Sequence, residues 1–316
     1  MPMPGKMPIP FILSRTKKIQ LLRTLPSFIY FPLFLLFLTN SNFDMKTGPS
    51  FRHILFLLFL LIVLQACEER VQIDLRDAES VPVIEGVLTD KRGNAFVKLS
   101  ATVDYFHTGE FPVISGADVQ ILRDEGAPFV MIEESPGLYI NYVARGIPGQ
   151  KYTLRVAFEG EVYTGVSTMP SKVYIDSLVP EYFEGTRFSE EGFLVHCFFT
   201  DPAEQKNYYR LRVLKGNFQS NFYYLLDDRL NNGMSIHYFL FGKPFLPGDT
   251  AVVELMNLDF PTFDYYNSLS SVVASSTQGM GTTPANPNSN LFPEVLGYFG
   301  ALAVDRDTIV FPDHPE

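Results

Sequence analysis

The sequence predicts a mainly β protein: an antiparallel β-sandwich over residues 81–170, then a second β-rich domain with one helix over residues 171–316. Short runs in which apolar and polar side chains alternate mark strands with one buried face, because neighbouring side chains of a strand point to opposite sides. Turn residues separate the runs at intervals of about ten residues, the spacing of an all-β sandwich rather than of strands alternating with helices. A convincing helical period occurs once in the mature part, from Thr262 to Ala274.

Val81 to Thr89 is the first strand, Asp90-Lys91-Arg92-Gly93-Asn94 a turn, and Ala95 to Thr102 the return. Ala117 to Leu122 alternates, Asp124-Glu125-Gly126 turns, and Phe129 to Glu133 returns. Gly137 to Ile140 begins another strand, Pro148-Gly149 turns, and Tyr152 to Phe158 pairs across Glu159-Gly160 with Glu161 to Ser167. Burial on one face only implies two sheets packed face to face. Met169-Pro170 and the stretch Ser171 to Leu178 mark the boundary to the second domain. There, Phe193 to Thr200, Tyr208 to Leu214 and Asn221 to Leu226 read as strands. Asn232-Gly233 predicts a hairpin into Ile236 to Phe241, since the favoured two-residue turn has positive φ at both positions. Thr250 to Leu258 follows Pro247-Gly248-Asp249. In the helix, Phe263, Tyr266, Leu269, Val272 and Val273 recur as one apolar stripe. Ser275 to Asn290 reads as a loop, and Gly297 to Val304 with Asp307 to Phe311 as a closing strand pair.

Residues 1–66 read as a leader region and stand outside the fold. Ile54 to Leu64 is an apolar core behind Lys46 and Arg52, within the roughly 7–15 apolar residues of a secretory signal and short of the roughly 20 that span a bilayer. It ends at Leu64-Gln65-Ala66-Cys67, which resembles the bacterial lipobox, where the cysteine is diacylated, the chain is cut before it and the new amino terminus is acylated. Cys67 is the expected lipidation site, and at about 0.8 kcal/mol per buried methylene three acyl chains anchor permanently. Met45 to Ala66 has the proportions of a whole signal peptide. Residues 1–44 hold a second basic-then-apolar block, with Arg15, Lys17, Lys18 and Arg23 ahead of Phe28 to Leu38, broken at Pro26 and Pro32. They read either as an over-extended gene start or as an extra membrane-proximal helix. Residues 67–80 are the lipidated tether.

Seven of the 25 basic residues but only Asp44 of the 35 acids lie in residues 1–66, so the net charge of −10 becomes about −16 in the exported part. Such a surface repels phosphate backbones, and no nucleic-acid partner is expected. Cys67 and Cys197 are the two cysteines. With Cys67 acylated, no disulfide framework forms.

Val83-Ile84-Glu85-Gly86, Ser115-Gly116-Ala117-Asp118-Val119, Gly137-Leu138-Tyr139, Pro148-Gly149-Gln150-Lys151-Tyr152-Thr153-Leu154 and Ser167-Thr168-Met169-Pro170 occur in that order. They are followed by Asp201 to Leu211, Gly248-Asp249-Thr250, Asp264-Tyr265-Tyr266, Ser289-Asn290-Leu291 and Leu296-Gly297-Tyr298-Phe299-Gly300-Ala301. This order resembles the Bacteroidota cell-envelope lipoproteins grouped as domain of unknown function 4249, over nearly all of residues 67–311. Phe292-Pro293-Glu294-Val295 departs from the glycine-rich link expected before Leu296. The resemblance implies an immunoglobulin-like or prealbumin-like first half and a place in the outer membrane, often beside a TonB-dependent transporter. It supplies no catalytic residue. By the same resemblance, Glu68 and Glu69 match a surface-export signal; read without it, they are an ordinary solvated tether. The periplasmic and cell-surface faces both remain open.

The histidines after the leader, His107, His196, His237 and His314, show no metal-type spacing and no nucleophile motif. His196 and Cys197 are adjacent, but in a strand they point to opposite faces. Cys197 therefore reads as a small core residue beside Val195 and Phe199. Ser135, Ser220 and Ser235 lack a Gly-x-Ser-x-Gly turn, and Gly279-Met280-Gly281 lacks the strand and third glycine of a nucleotide loop. Asp201, Asp227, Asp228 and Asp249 match no twelve-residue calcium loop. Tyr208-Tyr209, Phe222-Tyr223-Tyr224 and Tyr238-Phe239 are candidate sugar platforms, half of them expected in the core, and tryptophan is absent. The reading is a non-enzymatic outer-membrane lipoprotein, without cofactor or metal, that serves as an accessory or ligand-capture partner, with a transporter among the expected partners. An envelope hydrolase and a glycan-binding surface lipoprotein are the alternatives.

Overall fold

The computed structural model describes residues 80–103, 109, 111–187, 189–216, 218–219, 223–277 and 286–313, with backbone alone for 218–219 and 275–277. The leader, the lipobox Leu64, Gln65, Ala66 and Cys67, the acidic Glu68 and Glu69, His107, His314 and Gly279-Met280-Gly281 lie outside the described residues.

In chain order the strands are β1 (Pro82–Thr89), β2 (Ala95–Ala101), β3 (Asp118–Arg123), β4 (Phe129–Val130), β5 (Ile132–Ser135), β6 (Leu138–Asn141), β7 (Lys151–Phe158), β8 (Glu161–Thr168) and β9 (Ile175–Phe183). They continue with β10 (Gly192–Thr200), β11 (Tyr208–Lys215), β12 (Phe218–Gln219), β13 (Tyr224–Asp227), β14 (Ser235–Phe245) and β15 (Thr250–Leu258). The helix α1 (Phe260–Thr277) comes next, then β16 (Leu291–Phe292) and β17 (Leu296–Val310).

A nine-stranded sheet runs β12-β11-β15-β17-β1-β2-β6-β5, with β13 also on β11. A five-stranded sheet runs β16-β8-β7-β3-β4 and a three-stranded one β14-β10-β9. Parity along β17 shows how they stack. Phe299, Ala301 and Ala303 join one core with Ile84, Val97, Ile121 and Leu154, so the five-stranded sheet covers one half of the large sheet. Ile309 joins a second core with Leu211, Val253, Val195 and Phe199, so the three-stranded sheet covers the other half on the same face. Tyr298, Leu302 and Val304 point the other way, to a third core under α1. The architecture is a β-sandwich whose large sheet is buried on both sides along its middle strands. Burying a large apolar side chain there is worth about 1.5–3 kcal/mol.

This double burial explains where the elements depart from expectation. The closing strand pair is one continuous strand, since Gly297 to Val304 are buried throughout and Asp305-Arg306 makes no turn. Asp305 accepts a hydrogen bond from the Ile175 amide at 3.0 Å, and Arg306 pairs with Glu254. The run Phe129 to Glu133 is two strands in different sheets, because Met131 is buried and donates its amide to Val119. Asn232-Gly233 builds no hairpin: β13 pairs with β11 while β14 pairs with β10, and of the two only Gly233 has positive φ. The strand expected from Asn221 is confined to Tyr224–Asp227, with 221–222 outside the described residues. The helix is longer than Thr262 to Ala274; Asp259 caps it by accepting from the Thr262 amide at 3.2 Å.

β1 and β17 pair in parallel, Val83 with Leu296 through Thr89 with Leu302, so the two ends of the described chain lie side by side. The expected boundary at Met169-Pro170 falls between β8 and β9. Strands from both sides of it share the nine-stranded sheet, and the described residues on both sides fall within one compact unit. Polar side chains fasten the crossing segments. Asp90 accepts from the Val304 amide at 2.9 Å and from Lys172 at 3.0 Å. Asn257 accepts from the Val173 amide and donates to the Ala303 carbonyl.

Candidate functional site

The helix-side face of the large sheet is incompletely covered by α1, and what it leaves mixes apolar side chains with charged ones. Alternation along β11 puts Tyr209, Leu211 and Val213 into the sandwich core and turns Tyr208, Arg210 and Arg212 to this face. Register sets Arg212 opposite Glu254, and Glu254 opposite Arg306. Glu254 is fully buried and clamped from both sides: Arg212 Nε donates to Oε2 at 2.5 Å with Nη2 on the same oxygen, and Arg306 Nη2 lies 2.5 Å from Oε1. Two arginines thus share one buried carboxylate, leaving a positive excess at this face of an acidic chain.

Arg210 is the cleft arginine without an acid among the described residues. The residue is 9% exposed, and its guanidinium carbon lies 4.1 Å from the Tyr266 ring centroid and 5.4 Å from that of Tyr223. Stacking on aromatic faces suits a guanidinium, and it leaves the in-plane N–H groups free to donate. The buried Nε has no hydrogen-bond partner among the described residues. A buried donor left unpaired costs about 1–3 kcal/mol.

The aromatic wall is itself fixed. Tyr266 and Tyr298 share a hydroxyl–hydroxyl hydrogen bond at 2.5 Å, and Tyr265 stacks on Tyr298 at 4.4 Å between centroids. Burial pushes the Tyr265 and Tyr298 phenols well above their ordinary range, and the nearby Glu85 charge adds to this. Both therefore stay neutral at physiological pH. Glu85 lies 3.8 Å from Lys98; burial raises its carboxyl above the usual range against the lowering pull of that lysine. A cavity of about 40 Å³ remains, lined among others by Val87, Phe96, Arg210, Glu254, Tyr266 and Val304. At roughly 10–15 Å³ per water-sized group it holds about three such groups, a polar head group but not a metabolite.

The candidates named from sequence fall elsewhere. Cys197 is fully buried and burial pushes its thiol up to about 12. His196 points out of the opposite side of β10. There Nδ1 shares a hydrogen bond with His237 Nε2 at 2.7 Å and Nε2 meets Glu181. Phe198 stacks on His237 at 4.4 Å, and the Phe239 ring lies 4.8 Å from that of His196. Sequence spacing missed this pair because antiparallel pairing of β10 and β14 unites residues from distant segments; the His-x-Phe pattern in both strands was the available signal. Among the described residues no group of three His, Cys, Asp or Glu side chains is arranged to hold a metal.

The four aspartates weighed for calcium are engaged by protein donors. Asp201 accepts from Tyr209 and the Gly233 amide, and Asp228 from the Asn207 amide. Asp227 pairs with Arg229, and Asp249 with Lys215 and the Leu246 amide. Of the aromatic platforms, Tyr209 and Tyr224 are core, Tyr208 packs in the core under α1, and Phe239 is outward.

The sequence profile of the family described as Domain of unknown function (DUF4249) matches residues 68–308. The chain belongs to that family. For this DUF4249 protein the match takes in β1 through most of β17 and therefore every side chain of the Arg210 cleft. No curated protein matches it. Among solved structures, it is similar to a two-domain fibronectin type-III segment from chicken tenascin. The identity is 12%, over 57% of this chain and 91% of that one, with a TM-score of 0.18.

Proposed function

We propose that the protein is a lipid-anchored outer-membrane lipoprotein that binds a partner or ligand non-covalently and catalyses nothing, acting as an accessory or capture component, with a TonB-dependent transporter as the expected partner. The anchor rests on Leu64-Gln65-Ala66-Cys67 behind the apolar run Ile54 to Leu64. Tethering confines the sandwich to a membrane and raises its effective concentration around a membrane partner. The observation that carries the binding half is Arg210, a buried cation between aromatic rings with a donor to spare. Against a thiol hydrolase stand the buried, protonated Cys197 and a His196 whose two ring nitrogens are taken by His237 and Glu181 on the other face.

The test applies purified residues 68–316 to panels of esters, peptides and glycosides. No turnover above the buffer rate is expected. Turnover that is lost in His196→Ala or Cys197→Ser at unchanged melting temperature overturns the reading and makes the protein an enzyme.

A further inference from the structure

We propose that the cleft over Arg210 is a binding site for the carboxylate head group of a small organic acid. The inference deepens the binding reading by naming what one of its sites takes. A template for the contact lies two residues along the same strand. Arg212 offers Nε and Nη2, the side-on edge of its guanidinium, to a single carboxylate, that of Glu254. Such charge-assisted contacts are what arginine is built for. Arg210 projects from the same face of β11, and its Nε is buried without a protein acceptor among the described residues. Its in-line partner on β15 is Met256 where Arg212 has Glu254, so the sheet supplies an acid to one arginine and withholds it from the other.

Size and surroundings narrow the ligand. The cavity of about 40 Å³ matches two oxygens and their carbon, at roughly 10–15 Å³ for each water-sized group. Tyr266 covers one face of the guanidinium, so an acceptor must approach in the guanidinium plane, as a flat carboxylate does. A tetrahedral phosphate dianion would call on more donors than the single guanidinium of Arg210 provides. Val87 and Phe96 on the cavity wall would meet an apolar body attached to the head group. Arg306, half exposed and already on Glu254, also lines the cavity and adds positive potential there.

The test uses the full chain purified in detergent from membranes, with acetate, butyrate and benzoate as probes, butyramide as the neutral isostere, and inorganic phosphate and chloride as competing ions. Titration calorimetry and ligand-observed magnetic resonance report binding. Wild type is expected to prefer butyrate over butyramide by at least about tenfold. Arg210→Met should lose that preference while keeping or raising the melting temperature, because it removes an unpaired buried donor. Arg210→Lys keeps the charge but not the planar edge and should weaken butyrate by about tenfold. It decides the matter if Arg210→Met fails to fold. Lys98→Ala should bind as wild type does. Absence of carboxylate binding, equal binding of butyramide, displacement by chloride or phosphate at equal concentration, or unaltered affinity in both Arg210 variants overturns the proposal. Those results leave the non-catalytic reading standing, since only turnover in the substrate panel overturns that.

Discussion

Gly297 lies against the backbone of Ile84 so closely that a Cβ on it would sit 2.0 Å from the Ile84 carbonyl oxygen. The two are register partners in the parallel pairing of β1 with β17, and Gly297 has φ of 103°. This contact closes the nine-stranded sheet between the ends of the described chain. Gly297→Ala is therefore expected to lose at least about 3 kcal/mol, from the clash and the left-handed backbone together. Urea unfolding measures it. Gly116, at φ of 76° with nothing within 4 Å of an added Cβ, is the control, and Gly116→Ala should lose only about 1 kcal/mol. Equal losses would show that the close approach carries no weight.

Cys197 should be an inert thiol. Its burial and its displaced ionisation, at about 12, predict no reaction with Ellman's reagent at mildly alkaline pH until denaturant is added. A thiol whose pKa is raised on folding stabilises the fold while protonated in both states. That contribution is whole below the unfolded value of about 8.5 and is lost as pH climbs toward the folded one. The melting-temperature advantage of wild type over Cys197→Ala should accordingly shrink above about pH 8.5. Rapid labelling of the native protein would contradict this.

Asp249 ties the turn before β15 to β11. The Lys215 ammonium beside it, joined by the Leu246 amide, holds its carboxyl below the ordinary range against the opposing effect of burial. A lowered carboxylate stabilises above its unfolded pKa of about 3.9, and the contribution disappears as pH falls through the folded value. Asp249→Asn should lose about 1 kcal/mol near neutrality, discounted for the partly exposed lysine, and nothing in strong acid. Calcium should leave the melting temperature of both proteins unchanged. A rise in wild type alone would assign Asp249 to a cation.

The hairpins β1–β2 and β7–β8 were legible because alternation and the turns around Gly93 and Gly160 are local signals. What stayed hidden is what depends on long-range pairing. The β1–β17 partnership joins segments with no local cue, and the unbroken burial of Gly297 to Val304 looks like a strand with one face only if the second layer is unknown. Asp305-Arg306 resembles a turn until Lys172, Ile175 and Glu254 are seen to claim both side chains. The Arg210 cleft was half legible: Tyr208, Arg210 and Arg212 share a strand face by parity. That Glu254 would satisfy one arginine and Met256 leave the other alone follows from register, which sequence does not display.

Anchoring through Cys67 is the claim on which the proposed role depends, because without it the sandwich has no reason to remain at a membrane. Metabolic labelling with an alkyne palmitate tests it directly, with membrane fractionation alongside. The wild-type chain should take the label and sediment with membranes, while Cys67→Ala stays unlabelled. Equal labelling of the two, or a wild-type chain that carries no label, would contradict it.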